Sequence, residues 1–181
     1  MKKVIVAIVI IGAVALIYAM RNGSATTSSA PTANEKGVFR PDPSGATFTF
    51  DDEPVTLSAG RNETAITPGS ALVEETVLLD QLAYGDVNAD GKEDTALLLA
   101  RYGGGSGTFI YLAAFVSGPV TYHGSEAIFI GDRIAPKSIS ISGGIVTVKY
   151  LDRKDGDAFA TEPTVSVSKQ FIYRAGVFEE R

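Results

Sequence analysis

From Ala46 onward apolar residues recur at every second position, and this period limits the kinds of fold open to the chain. Thr47-Phe48-Thr49-Phe50 alternates, as do Ile139-Ser140-Ile141 and Val146-Thr147-Val148-Lys149-Tyr150, and Val165, Val167, Phe171 and Tyr173 share one parity. A strand turns successive side chains to opposite faces, so such segments bury one face and wet the other. Two continuous apolar stretches, Thr95–Ala100 and Phe109–Val116, suit central strands covered on both faces. Turn residues punctuate the chain at short spacing, among them Gly103–Gly107, Ser117-Gly118-Pro119, Ser142-Gly143-Gly144 and Asp155-Gly156-Asp157. The expected fold is mainly β, a single antiparallel domain built as a meander, barrel or sandwich. Ala71–Leu82 alone has partial helical spacing, through Leu72, Leu79 and Leu82, while its Val and Thr content argues equally for a strand, so helix and strand both stay open there, with strand preferred.

The first residues follow a different logic. Lys2 and Lys3 precede an uninterrupted apolar run, Val4–Met20, closed by Arg21. As a helix this run would span about 25 Å, at the short end of what crosses a bilayer core of about 30 Å. It is longer than a cleavable signal usually carries, and it ends in the bulky Tyr18 and Met20 rather than in a small-x-small site. Residues 1–21 are therefore expected to form an uncleaved transmembrane signal-anchor. The alternative is secretion after cleavage near Gly23-Ser24-Ala25. The lysines keep the N-terminus in the cytoplasm and put the remainder outside. Residues 22–44, rich in Gly, Ser, Thr, Asn and Pro, read as a flexible linker, and residues 45–181 as the extracytoplasmic β domain.

Composition closes several functions. The chain has no Cys, no Trp and one His, so disulfides, thiolate metal sites, cysteine nucleophiles and multi-histidine sites are excluded. Net charge is −5, with no basic block to meet a phosphate backbone, so nucleic acid is not an expected partner.

The most specific local pattern is Gly85-Asp86-Val87-Asn88-Ala89-Asp90-Gly91-Lys92-Glu93-Asp94. Oxygen donors at alternate positions (Asp86, Asn88, Asp90) can converge on a cation because Gly91 permits the sharp turn after them. The Lys92 carbonyl and Asp94 would complete a structural Ca²⁺ site. Leu97 stands where an EF-hand places its bidentate Glu, and the flanking Thr95–Ala100 reads as strand. The loop thus resembles the strand-flanked calcium loops of extracellular proteins, the integrin-type and dockerin-type loops, more than an EF-hand. Asp, Asn and Gly also favour turns without any metal, which is the simpler alternative.

Other candidates carry less. The run Asp152-Arg153-Lys154-Asp155-Gly156-Asp157 lacks alternate spacing and reads as a solvated turn. Ser106 lies among glycines, but Thr108 replaces the second Gly of a nucleophile elbow, and strand rather than helix follows. His123 sits in a polar stretch and is expected to be exposed. Asp132 and Arg133 are expected to pair at a strand end.

In order along the chain, Gly85–Asp94, Gly104-Gly105-Ser106-Gly107-Thr108-Phe109 with Tyr111-Leu112, and Ile130-Gly131-Asp132-Arg133 carry a wider resemblance. The chain resembles a family of uncharacterised bacterial membrane-anchored or secreted proteins over most of Val55–Tyr173. Ile130 stands where that family often has Leu, and the paired cysteines some members carry near Asp157–Pro163 are missing. The resemblance implies one fold and an envelope location and brings no activity. Two function classes follow. One is a non-catalytic, membrane-tethered module presenting its surface to an envelope protein or glycan. The other is a glycosidase-like envelope hydrolase with paired carboxylates, drawn from Asp80, Asp132 and Asp152, since glycoside cleavage needs two suitably placed acids.

Overall fold

Leu97, Leu98 and Leu99 are all fully buried, and the architecture follows from how one strand can bury three consecutive leucines. The computed structural model describes residues 39–181. The expected anchor and most of the expected linker lie outside the described residues. Among the described residues no helix is long and apolar enough to cross a membrane.

Among the described residues twelve strands form, all in antiparallel pairs: β1 (Thr47–Phe50), β2 (Glu53–Thr56), β3 (Arg61–Ala65), β4 (Val73–Gly85), β5 (Asp94–Tyr102), β6 (Phe109–Ser117), β7 (Tyr122–Gly124), β8 (Ile128–Asp132), β9 (Ala135–Ser142), β10 (Ile145–Asp152), β11 (Val165–Arg174) and β12 (Val177–Glu180). A central six-stranded sheet runs β3-β4-β5-β6, with β7 and β8 pairing different stretches of β6. A four-stranded sheet runs β12-β11-β10-β9, and β1 with β2 makes a separate hairpin. Neither sheet closes on itself, so the barrel alternative is corrected: the strand order ends in free edges, which a barrel lacks. Ala71–Leu82 contributes strand, as its composition favours.

The side-chain period then allots each residue of β5 and β6 to a layer. Ala96, Leu98 and Ala100 join Ile110, Leu112, Ala114 and Val116 against Val146, Val148, Tyr150 and Phe171 of the four-stranded sheet. Leu97, Leu99 and Ala113 face the other way, onto Phe48, Phe50, Val55 and Leu57 from the hairpin and the residue after it. The continuous apolar runs are therefore strands covered on both faces.

The hairpin is seated by backbone contact as well as apolar packing. Thr49 N donates to Ser125 O at 3.2 Å and Ala127 N to Thr49 O at 2.8 Å. Gly124 makes this approach possible: a Cβ there would stand 2.2 Å from the Thr47 carbonyl oxygen.

The folded body reaches further toward the N-terminus than composition indicates. Residues 39–44 belong to the expected linker, yet Pro41 and Pro43 are buried. The Thr95 hydroxyl donates to Pro41 O at 2.9 Å, Arg40 lies 4.5 Å from the Tyr84 ring centroid, and the Phe39 and Tyr122 rings are 5.7 Å apart. Pro at these positions offers apolar surface and no N–H to satisfy, so a linker-like composition can still dock.

Candidate functional site

The central sheet has two chemically distinct ends. One is the β4–β5 loop that holds the expected calcium ligands. The other is the opposite end, where the Gly103–Gly107 loop and the tip of the β1–β2 hairpin lie.

At the first end, Ala89 and Gly91 take left-handed backbone angles, φ 62° and 81°, and curl the loop so that its polar side chains turn inward. Asp86 accepts from Asp90 N at 3.3 Å and from Gly91 N at 2.9 Å. The Asn88 side-chain oxygen accepts from Asp90 N at 3.1 Å, and its amide donates to Ser117 O at 3.3 Å. Asp90 accepts from Lys92 N at 2.9 Å through one oxygen and from the Ser117 hydroxyl through the other. That hydroxyl, followed by the Lys92 amide, holds the Asp90 carboxyl below its usual range.

Asp94 is placed differently from the other three. It is fully buried, with one oxygen accepting from Val87 N at 3.0 Å and the other from Ser117 N at 2.8 Å. It therefore fastens the loop to β6, whereas Asp86, Asn88 and Asp90 line the loop itself. The Lys92 ammonium reaches Gly118 O at 3.4 Å. Tyr122 donates to Glu93 O at 2.8 Å, and burial, reinforced by the charges of Asp94, Asp90 and Glu93, raises its hydroxyl pKa. Among the described residues no three Asp, Glu or His side chains already converge as a metal cage. The oxygen-bearing side chains that line the loop are two carboxylates and one amide, donor types suited to a hard cation.

The opposite end contains a cleft that no sequence motif marks. Arg101, at the end of β5, lies with its guanidinium 4.7 Å from the Phe50 ring centroid, and its Nη2 contacts Glu74 at 2.8 Å and Glu53 at 3.1 Å. Its side chain is only 12% exposed, against 66% for Glu53 and 39% for Glu74. Its Nε is buried without a hydrogen-bond partner. An unmet buried donor costs about 1–3 kcal/mol. Asn62, Thr64 and Thr76 complete the walls of a cavity of about 160 Å³. Glu53 and Glu74 are 21 positions apart and meet only through the register Thr64↔Glu74, Thr76↔Arg101 and the fold of the hairpin.

The carboxylates considered for hydrolysis are engaged elsewhere. Asp132 pairs with Arg133 at 2.5 Å and accepts from Thr108 N at 3.0 Å, the strand-end pair expected from sequence. Asp152 accepts from the amide of Arg153 at 2.7 Å, and Asp80 is exposed on β4. Arg153 donates to the Asp132 and Arg133 carbonyls at 2.8 and 3.0 Å, which brings the ends of β8 and β10 together. Asp157 accepts from Lys154 N at 3.2 Å within a turn, and His123 is exposed on β7. Ser106 accepts from Arg133 at 3.1 Å. No family model, curated protein or solved structure matches the chain.

Proposed function

We propose that the chain is a membrane-tethered extracytoplasmic module, non-catalytic, whose sandwich-type β scaffold is fastened at one end by a structural calcium loop and presents its surface to an envelope partner. The observation that carries this reading is the arrangement of Gly85–Asp94. Three oxygen-bearing side chains at alternate positions turn into a loop that Ala89 and Gly91 curl, and the buried Asp94 ties that loop to the central sheet. Calcium would be held by Asp86, Asn88, Asp90 and the Lys92 carbonyl, with Asp94 closing the loop behind them. The ion would replace hydrogen bonds that now compensate two crowded carboxylates, and an extracytoplasmic setting makes even a site of about 10⁻⁴ to 10⁻³ M useful.

The tether rests on Lys2, Lys3 and Val4–Met20, and the resemblance to membrane-anchored bacterial proteins agrees with it. The hydrolase alternative gains no support from Asp80, which is exposed, or from Asp132 and Asp152, which are held by Arg133 and by backbone amides. Glu53 and Glu74 do share a cleft, but both are committed to one guanidinium.

Location is tested by protease added to intact cells or spheroplasts. The expected result is release of a fragment by cutting between Asn22 and Val38. Protection of the whole chain until lysis would overturn the outside orientation.

A further inference from the structure

The two ends of the central sheet differ in where the chain leads. Phe39 to Pro41 pack against Tyr122, Tyr84 and Thr95, all at the calcium-loop end, so whatever precedes Phe39 joins the body there. The Arg101 cleft lies at the other end of the strands.

Strand register places an aromatic row beside the cleft, on the same face of the sheet. Arg101 is the direct cross-strand neighbour of Phe109. The Phe109 and Phe129 rings are 6.3 Å apart, and Phe129 also lies edge-on to Tyr111 at 5.7 Å. Phe109 is 39% and Phe129 55% exposed. From β3 to β8 the row crosses five strands, roughly 19 Å at the usual strand spacing. Its cleft half offers carboxylate acceptors, an amide and a fixed guanidinium. The other half offers flat apolar faces.

Resting on the reading above, we propose that this end is a binding site for a neutral, β-linked glycan chain. Such a chain is the ligand class that matches both halves at once: each sugar has a flat C–H face to lie on an aromatic ring and equatorial hydroxyls that donate to carboxylates and accept from guanidinium. Charge favours a neutral chain over an anionic one, because Arg40–Arg181 carries 12 basic and 20 acidic residues and the cleft itself holds two carboxylates to one arginine. Phe50, at the end of β1, packs edge-on to Tyr111 at 5.0 Å and bounds the row on the hairpin side. Phe50 and Arg101 are fixed by packing and ion pairs, so the cleft half is rigid before ligand arrives.

The test is isothermal titration of the purified full chain with cellotetraose and, separately, chitotetraose, in a detergent that carries no sugar headgroup. Saturable binding of at least one is expected. Phe129→Ala and Glu53→Gln, both exposed and compatible with folding, are each expected to weaken it about ten-fold or more, the equivalent of one good contact. Glu179→Gln, on exposed β12, is expected to leave it unchanged. A preference between the two sugars would tell whether the acetamido group is read. No saturable binding of either sugar, or binding that Phe129→Ala leaves intact, overturns the proposal, as does binding of a protein partner through this face in place of sugar. Because the titration uses purified protein, its failure is separable from failure of the proposed location or of the calcium loop.

Discussion

Asp94→Ala is expected to destabilise the protein by about 3 kcal/mol or more. Both carboxylate oxygens are buried and each accepts a backbone N–H, from Val87 and from Ser117. Alanine would strand two donors out of water, and each such group costs about 1–3 kcal/mol, more when its partner was charged. The loss is also topological, because these bonds tie the β4–β5 loop to the end of β6. Asp94→Asn keeps one good acceptor and should fall between Ala and the unchanged chain. Denaturant unfolding at neutral pH measures both. A loss below about 0.5 kcal/mol for Asp94→Ala, the range of ordinary surface changes, would show that the carboxylate does not fasten the loop.

Leu98→Ala should cost about 3–4 kcal/mol, through lost transfer free energy and the cavity left behind. Leu98 is fully buried in the cluster shared by the central and four-stranded sheets, beside Leu112, Val146 and Val148. Rigid strands on both sides limit how far the site can collapse. Leu72→Ala is the control, since Leu72 is 59% exposed just before β4, and it should change stability by less than about 0.5 kcal/mol. Equal effects at the two positions, read from unfolding midpoints, would contradict the packing of one sheet on the other.

How much of this was legible beforehand depended on whether a feature was local. Alternation at Thr47–Phe50 and Val146–Tyr150 marks strands because side-chain direction alternates residue by residue. The runs at Thr95–Ala100 and Phe109–Val116 mark doubly covered strands for the same reason. Leu72, Leu79 and Leu82 imitate helical spacing but share no face, Leu72 being exposed before β4, and β4 is irregular between Leu78 and Leu82, where four positions correspond to two on β5. An insertion of two keeps the period of two, so Leu78 and Leu82 still face the hairpin layer while Leu79 and Ala83 face the four-stranded sheet.

The proposed calcium loop was legible as a pattern because its candidate donors lie within ten consecutive residues. The particular role of Asp94 was not, since it depends on Ser117, 23 positions away. The Arg101 cleft left no mark at all, because its residues come from β2, β3, β4 and β5 and only strand register brings them together. Docking of Phe39–Asp42 was hidden by a composition typical of linkers.

The central claim, that Asp86–Asp94 seats calcium in a folded envelope module, is tested most directly by the melting temperature of the full chain in millimolar calcium and in chelator, with calorimetric titration of the same sample. Binding to the native state alone stabilises it by about 1.4 kcal/mol at ten times the dissociation constant. For a domain of this size that corresponds to a rise of several degrees. Asp90→Ala removes a central ligand and should abolish the rise, whereas Asp155→Ala, in the turn after β10, should leave it. Equal melting temperatures in calcium and chelator for the unchanged chain, with no heat of binding at millimolar calcium, would contradict the claim and leave the loop an Asp-rich turn held by its own hydrogen bonds.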